Sequence, residues 1–174
     1  MKKLLITKKS ESVQPLLELI EKQTRRTLVI WTQECGERVL SIFERSYPLD
    51  FRPRLALEAA DSWSRGYMKM PKAKKAAHAT HNAATMAEHT PAACAAARTI
   101  GHIIGTIHVK THAINVVLYA VTAFVYADPS EESARIISKE LDYFYERLLY
   151  WQQNTNSLNR PWASFLVRDA VLDK

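Results

Sequence analysis

Between positions 92 and 127 the chain carries two charged side chains, Arg98 and Lys110, in a run dominated by alanine, isoleucine and valine. Such a run belongs in a protein interior or a bilayer. Its most apolar part, residues 113–127, is shorter than the roughly 18–20 residues that cross a membrane. The run is therefore read as two buried helices, 91–107 and 111–127, around which the rest of the chain is built. All six histidines lie at 78, 81, 89, 102, 108 and 112. Imidazoles set into that background either form a buried polar network or line a site.

Punctuation along the chain points to an all-α fold. Only four glycines occur, and the seven prolines fall mostly at natural helix starts. Gly66 fits a helix stop, Pro71 a start, Thr90-Pro91 a cap followed by a first helical residue, and Asp128-Pro129-Ser130-Glu131 a cap with an acidic first turn. The pattern predicts helices over 12–23, 26–46, 51–65, 71–89, 91–107, 111–127 and 129–153, with a short one after Pro161. No segment alternates with period two, so a sheet is not expected. Leu28, Trp31, Cys35, Val39 and Ile42 form a one-sided stripe on the second helix, and Leu141, Phe144, Leu148 and Trp151 one on the seventh.

At 174 residues, 47% of them hydrophobic and 24% charged, the chain is expected to fold as a single helical bundle over residues 1–174. The apolar stretch Leu4-Leu5-Ile6 is too short for a cleavable signal, so the cytoplasm is the expected compartment. Cys35 and Cys94 are isolated and lack metal-ligand or disulfide spacing. No GxSxG elbow and no glycine-rich phosphate loop occurs, so neither catalysis nor a cofactor is expected.

The net charge of +6 is partly local. Arg52, Arg54, Arg65, Lys69, Lys72, Lys74 and Lys75 face only Glu58 and Asp61 between positions 51 and 75. Such a patch is either a solvated helical face or a surface for phosphate or an acidic protein. Without aromatic platforms or a recognition motif it would hold nucleic acid only nonspecifically.

Three sets of residues are candidate site material. On helix 71–89 the histidines His78, His81 and His89 share a face with Lys74, Lys75 and Asn82, opposite Ala73, Ala76, Thr80, Ala83 and Ala87, and are expected to meet solvent. On 91–107 a narrow stripe holds Arg98, Thr99, His102 and Thr106; on 111–127 His112, Asn115, Tyr119, Thr122 and Tyr126 share a face. His108 and His112 stand four apart, a spacing that suits a shared ion or a buried hydrogen-bonded pair. With no carboxylate in the segment to complete a metal shell, the pair is expected to be structural. Together His102, His108, His112, Asn115, Tyr119 and Arg52 could line one internal polar pocket for a small ligand or metal. In Asp50-Phe51-Arg52-Pro53-Arg54, Asp50 suits a helix cap and Pro53 the first turn, while Arg52 and Arg54 could clamp a neighbouring helix or bind an anion.

The stretch Asp50-Phe51-Arg52-Pro53-Arg54-Leu55-Ala56-Leu57-Glu58-Ala59-Ala60, with Trp63-Ser64-Arg65-Gly66, resembles the putative immunity protein family of the immunity-five-like type. Residues 31–48, with Glu34-Cys35 and Leu40-Ser41-Ile42-Phe43-Glu44, are similar too. So are Ala76-Ala77-His78, Ala95-Ala96-Ala97-Arg98, Gly101-His102, His108-Val109-Lys110-Thr111-His112-Ala113 and Tyr119-Ala120. The resemblance spans about 27–127, leaving a helical extension over 129–174. It implies a helical, non-catalytic protein that binds and neutralises a bacterial toxin.

Overall fold

The computed structural model describes the backbone of residues 4–172 and the side chains through Arg168. Eight α-helices follow one another: α1 Gln14–Glu21, α2 Arg25–Ser46, α3 Arg52–Ser64, α4 Met70–Met86, α5 Pro91–His108, α6 Ala113–Ala127, α7 Ser133–Asn154 and α8 Ser164–Leu172. Short 3-10 turns at Glu11–Val13, Lys110–His112 and Thr155–Ser157 join them, and no strand occurs among the described residues. The protein is all-α, as its sequence predicts. No helix among the described residues is long and apolar enough to cross a membrane.

The apolar helix pair occupies the centre. Ile100, Ile103, Ile104 and Ile107 of α5 and Ile114, Val117 and Val121 of α6 are all buried. Alanines 93, 95, 96 and 97 are buried too, which lets α2, α3, α4 and α6 approach α5 closely. The second helix departs from its expected one-sided stripe: Val29, Ile30, Leu40 and Phe43 are buried as well as Leu28, Trp31, Cys35, Val39 and Ile42. It is enclosed because α3, α5, α6, α7 and α8 pack around it.

Local chemistry sets the helix ends. Gly66, with φ of 84°, follows α3; its N–H bonds the Trp63 carbonyl and the Tyr67 N–H reaches back to Ser62 at 2.8 Å, the paired closure a left-handed glycine allows. Two expected caps act otherwise. Thr90 precedes α5, but its hydroxyl pairs with the Tyr47 hydroxyl at 3.0 Å instead of capping. Asp128 does not start α7; its carboxylate bonds the Ser130 N–H and hydroxyl in a tight turn, and the helix begins only at Ser133.

The C-terminal segment is part of the same body. Phe144 and Leu148 of α7 are fully buried, and the Trp31 indole donates to the Phe144 carbonyl at 3.0 Å. Two reversed ion pairs fasten α7 to α2. Glu34 accepts from the Arg147 guanidinium, the Tyr143 hydroxyl and the Trp151 indole. Arg38 meets the buried Glu140 carboxylate, with one contact at 3.0 Å, and its Cζ lies 3.9 Å from the Tyr143 ring centroid. Further on, Ala163 donates to the Ser64 carbonyl at 2.8 Å and Phe165 packs against Trp63, tying the segment before α8 to the end of α3.

Candidate functional site

Gly101 and Gly105 make bare patches on α5 on either side of His102. A Cβ at 101 would lie 2.5 Å from Cε1 of His81, and one at 105 would lie 2.9 Å from Nδ1 of His112. Glycine at these two positions lets imidazoles from α4 and from the 110–112 turn lie directly on the α5 backbone. The result is a half-buried row of rings. His81 meets His102 edge-on at 5.3 Å between centroids, His112 lies 6.0 Å from His102, and Tyr119 of α6 stacks on His102 at 5.2 Å.

Two of its imidazoles are held toward the neutral form. Burial, together with positive charge from His81, His112, Arg98 and Lys8, pushes the His102 pKa down to about 4. Burial, with Arg98 and His78, likewise lowers that of His81. Nδ1 of His81 and Nδ1 of His112 are buried without a hydrogen-bond partner among the described residues. Among those residues no three His, Cys, Asp or Glu side chains group closely enough to share an ion. The ring contacts make the row an aromatic seam.

Several expected site residues lie elsewhere. His81 was expected on the solvent face with His78 and His89; those two are exposed, but His81 is drawn against Gly101. His108 is exposed and outside the row. It does not pair with His112, because Val109 is extended, with φ of −137° and ψ of 116°, and breaks the helix that the four-residue spacing requires. Asn115 is half-buried and makes no side-chain hydrogen bond to a described residue. Arg52 stands at the start of α3, paired with Asp50, while His102, His112 and Tyr119 belong to the row. The signal for His81 was present in the sequence: two glycines, one residue before and three after His102, in a helix otherwise rich in alanine and isoleucine.

Arg52 and Arg54 act near the start of α3. The Asp50 carboxylate accepts from the Arg52 backbone N–H at 3.2 Å and from its Nε at 2.8 Å. The pairing holds the Asp50 carboxyl below the ordinary carboxylate range. Arg54 reaches across to α2, where Nε and Nη2 each lie 2.8 Å from a Glu44 oxygen. Arg65 pairs with Asp61 at 2.7 Å. These three arginines are neutralised locally, so the open charge of the basic patch reduces to the exposed Lys69, Lys72, Lys74 and Lys75 at the start of α4.

Two grooves flank α3. The larger, about 800 Å³, runs between α2 and α3 past Glu37, Glu44, Arg54, Glu58 and Asp61. Much of its charge is already paired, since Arg54 holds Glu44 while Arg65 and Arg160 hold Asp61. Burial and the nearby Glu34 and Asp61 carboxylates push the Glu37 pKa up. The second, about 440 Å³, lies between α3 and α4 and is lined by Leu55, Ala59, Met68, Ala76 and Ala79 with Arg52, Lys72 and Lys75 among its polar groups.

Both cysteines are buried. Burial raises the thiol pKa of Cys35 well above the ordinary value and also raises that of Cys94, as the apolar setting of each predicts. Neither has a partner sulfur.

The model of the family described as Imm-5 like putative immunity protein matches residues 18–147. The match takes in all of α2 to α6 and most of α7, a wider span than the 27–127 read from sequence motifs. No curated protein and no solved structure matches the chain.

Proposed function

Since the chain belongs to the Imm-5 like putative immunity protein family, we propose that it acts in the bacterial cytoplasm by binding a toxin and occluding it, without catalysing a reaction. The observation that carries this reading is the family match across residues 18–147. Two features of the fold support it. The core is filled with apolar side chains, and the half-buried His81, His102, His112 and Tyr119 pack ring against ring. The surface exposes large apolar side chains such as Phe51, Leu55, Tyr67 and Met86, and protein interfaces are enriched in aromatic residues and methionine.

The pocket reading receives less support, since His108 and Arg52 stand apart from His102, His112 and Tyr119. Nucleic-acid binding is also weaker than the composition implied, because Arg52, Arg54 and Arg65 are each held by a carboxylate.

The test is co-expression with the protein encoded by the neighbouring gene. Growth arrest by that protein, relieved by this chain, together with a stoichiometric complex on size exclusion, is the expected result. Absence of both rescue and complex would overturn the toxin-binding reading.

A further inference from the structure

The groove between α3 and α4 combines an apolar lining with basic side chains at its rim. Its floor is made of short side chains: Ala59 on one wall, Ala76 and Ala79 on the other. The Thr80 hydroxyl donates to the Arg52 carbonyl at 3.0 Å, which pins the two helices together at one end and keeps the groove from closing by sliding. From Arg52 to Ser62 of α3 it runs about 15 Å at 1.5 Å per residue, two to three turns of a bound helix.

Large apolar side chains lie in the groove and near its Arg52 end. Leu55, 54% exposed, lines the groove, and Phe51, 55% exposed, stands one helical turn before it. Met86, 71% exposed, lies against Arg52 with its sulfur 3.3 Å from Nη2. Exposed apolar surface of this kind, joined to a groove, marks a place where another molecule packs.

The rim decides what that molecule is. Lys72 and Lys75 are exposed on the α4 side and form no ion pair with a described residue, whereas Arg52 is already held by Asp50. Glu58 lies on the α3 side. A segment seated here would therefore meet apolar contacts at its base and open positive charge along the α4 edge.

We propose that the α3–α4 groove docks an amphipathic helix of a protein partner, its apolar face on Leu55, Ala76 and Ala79 and its carboxylates over Lys72 and Lys75. This deepens the toxin-binding reading by naming the surface and the chemistry of the partner, and it rests on that reading for the partner's identity. The apolar lining and the Lys72 and Lys75 rim do not depend on that reading.

The test uses the full chain, isotope-labelled for amide NMR, and two synthetic 18-residue amphipathic helices with the same leucine face, one flanked by glutamates and one by lysines. Saturable shifts confined to α3 and α4 are expected with the glutamate peptide, with at least tenfold weaker binding of the lysine peptide. Lys72→Glu/Lys75→Glu should reverse that preference. Leu55→Glu should weaken both peptides; because all three positions are exposed, the variants are expected to keep the native circular dichroism. Non-saturating titration, shifts elsewhere, or equal binding of the two peptides would overturn the proposal. So would a dimer of the free protein dissolved by Leu55→Glu, which would assign the face to a second copy. The arms separate from the toxin test: peptide binding without growth rescue keeps the groove and removes the toxin, while rescue that Leu55→Glu leaves intact removes the groove and keeps the toxin.

Discussion

The imidazole of His81 rests on the bare backbone of Gly101, so closely that all three of its nearest ring atoms would fall within 2.8 Å of an added methyl group. That contact opposes two energies at one position. Alanine favours a helix interior over glycine by about 1 kcal/mol, whereas an extra methyl group forced into a packed contact costs about 1–3 kcal/mol.

Gly101→Ala is therefore expected to lower stability in the natural protein and to raise it by about 1 kcal/mol in a His81→Ala background. Urea denaturation of the four proteins of this cycle measures the coupling. Equal effects of Gly101→Ala in both backgrounds would show that His81 does not occupy the site.

The Arg38–Glu140 pair between α2 and α7 should behave unlike the Arg54–Glu44 pair between α3 and α2. Glu140 is 4% exposed, so Arg38→Met strands a buried carboxylate, at a cost of about 3 kcal/mol. Arg54→Met breaks a pair whose side chains are 50% and 28% exposed, and its cost is expected to stay within about 1 kcal/mol. Comparable losses for both variants, read from urea midpoints, would contradict the burial of Glu140.

Acid should weaken the fold through His102. Its folded pKa of about 4 lies below the ordinary 6.5, so between those values the unfolded chain binds a proton that the folded chain excludes. The stability this supplies is complete above pH 6.5 and is lost as pH falls toward 4. His81, also lowered by burial, acts in the same direction. Unfolding free energies measured from pH 7 to 4.5 should decline for the natural protein, and His102→Gln should flatten that slope. An unchanged slope would place the acid sensitivity elsewhere.

Binding to duplex DNA is expected to be weak and lost between about 50 and 200 mM salt, because four open lysines supply only the nonspecific electrostatic attraction. Fluorescence anisotropy across that range checks it; sequence-selective binding that survives the higher salt would contradict it.

The helical elements and their order were legible in the residues themselves. Gly66 and the prolines mark ends because φ and a missing N–H act locally, and the isoleucines of α5 report burial because a 3.6-residue period keeps them on one side. What periodicity cannot carry is which neighbour lies against a face. His78 and His81 of α4 and His89 just beyond it share one side of the helical pattern, yet only His81 falls where Gly101 of another helix leaves room. His108 and His112 have the spacing of a pair, but an extended Val109 between them separates their directions. Glu34 with Arg147 and Arg38 with Glu140 look like ordinary surface charges until α7 folds back on α2. Sequence thus determined the helices, the buried central pair and the family. The ring seam, the crossed ion pairs and the open α3–α4 groove were decided by tertiary packing, because each depends on contacts between residues that no local period relates.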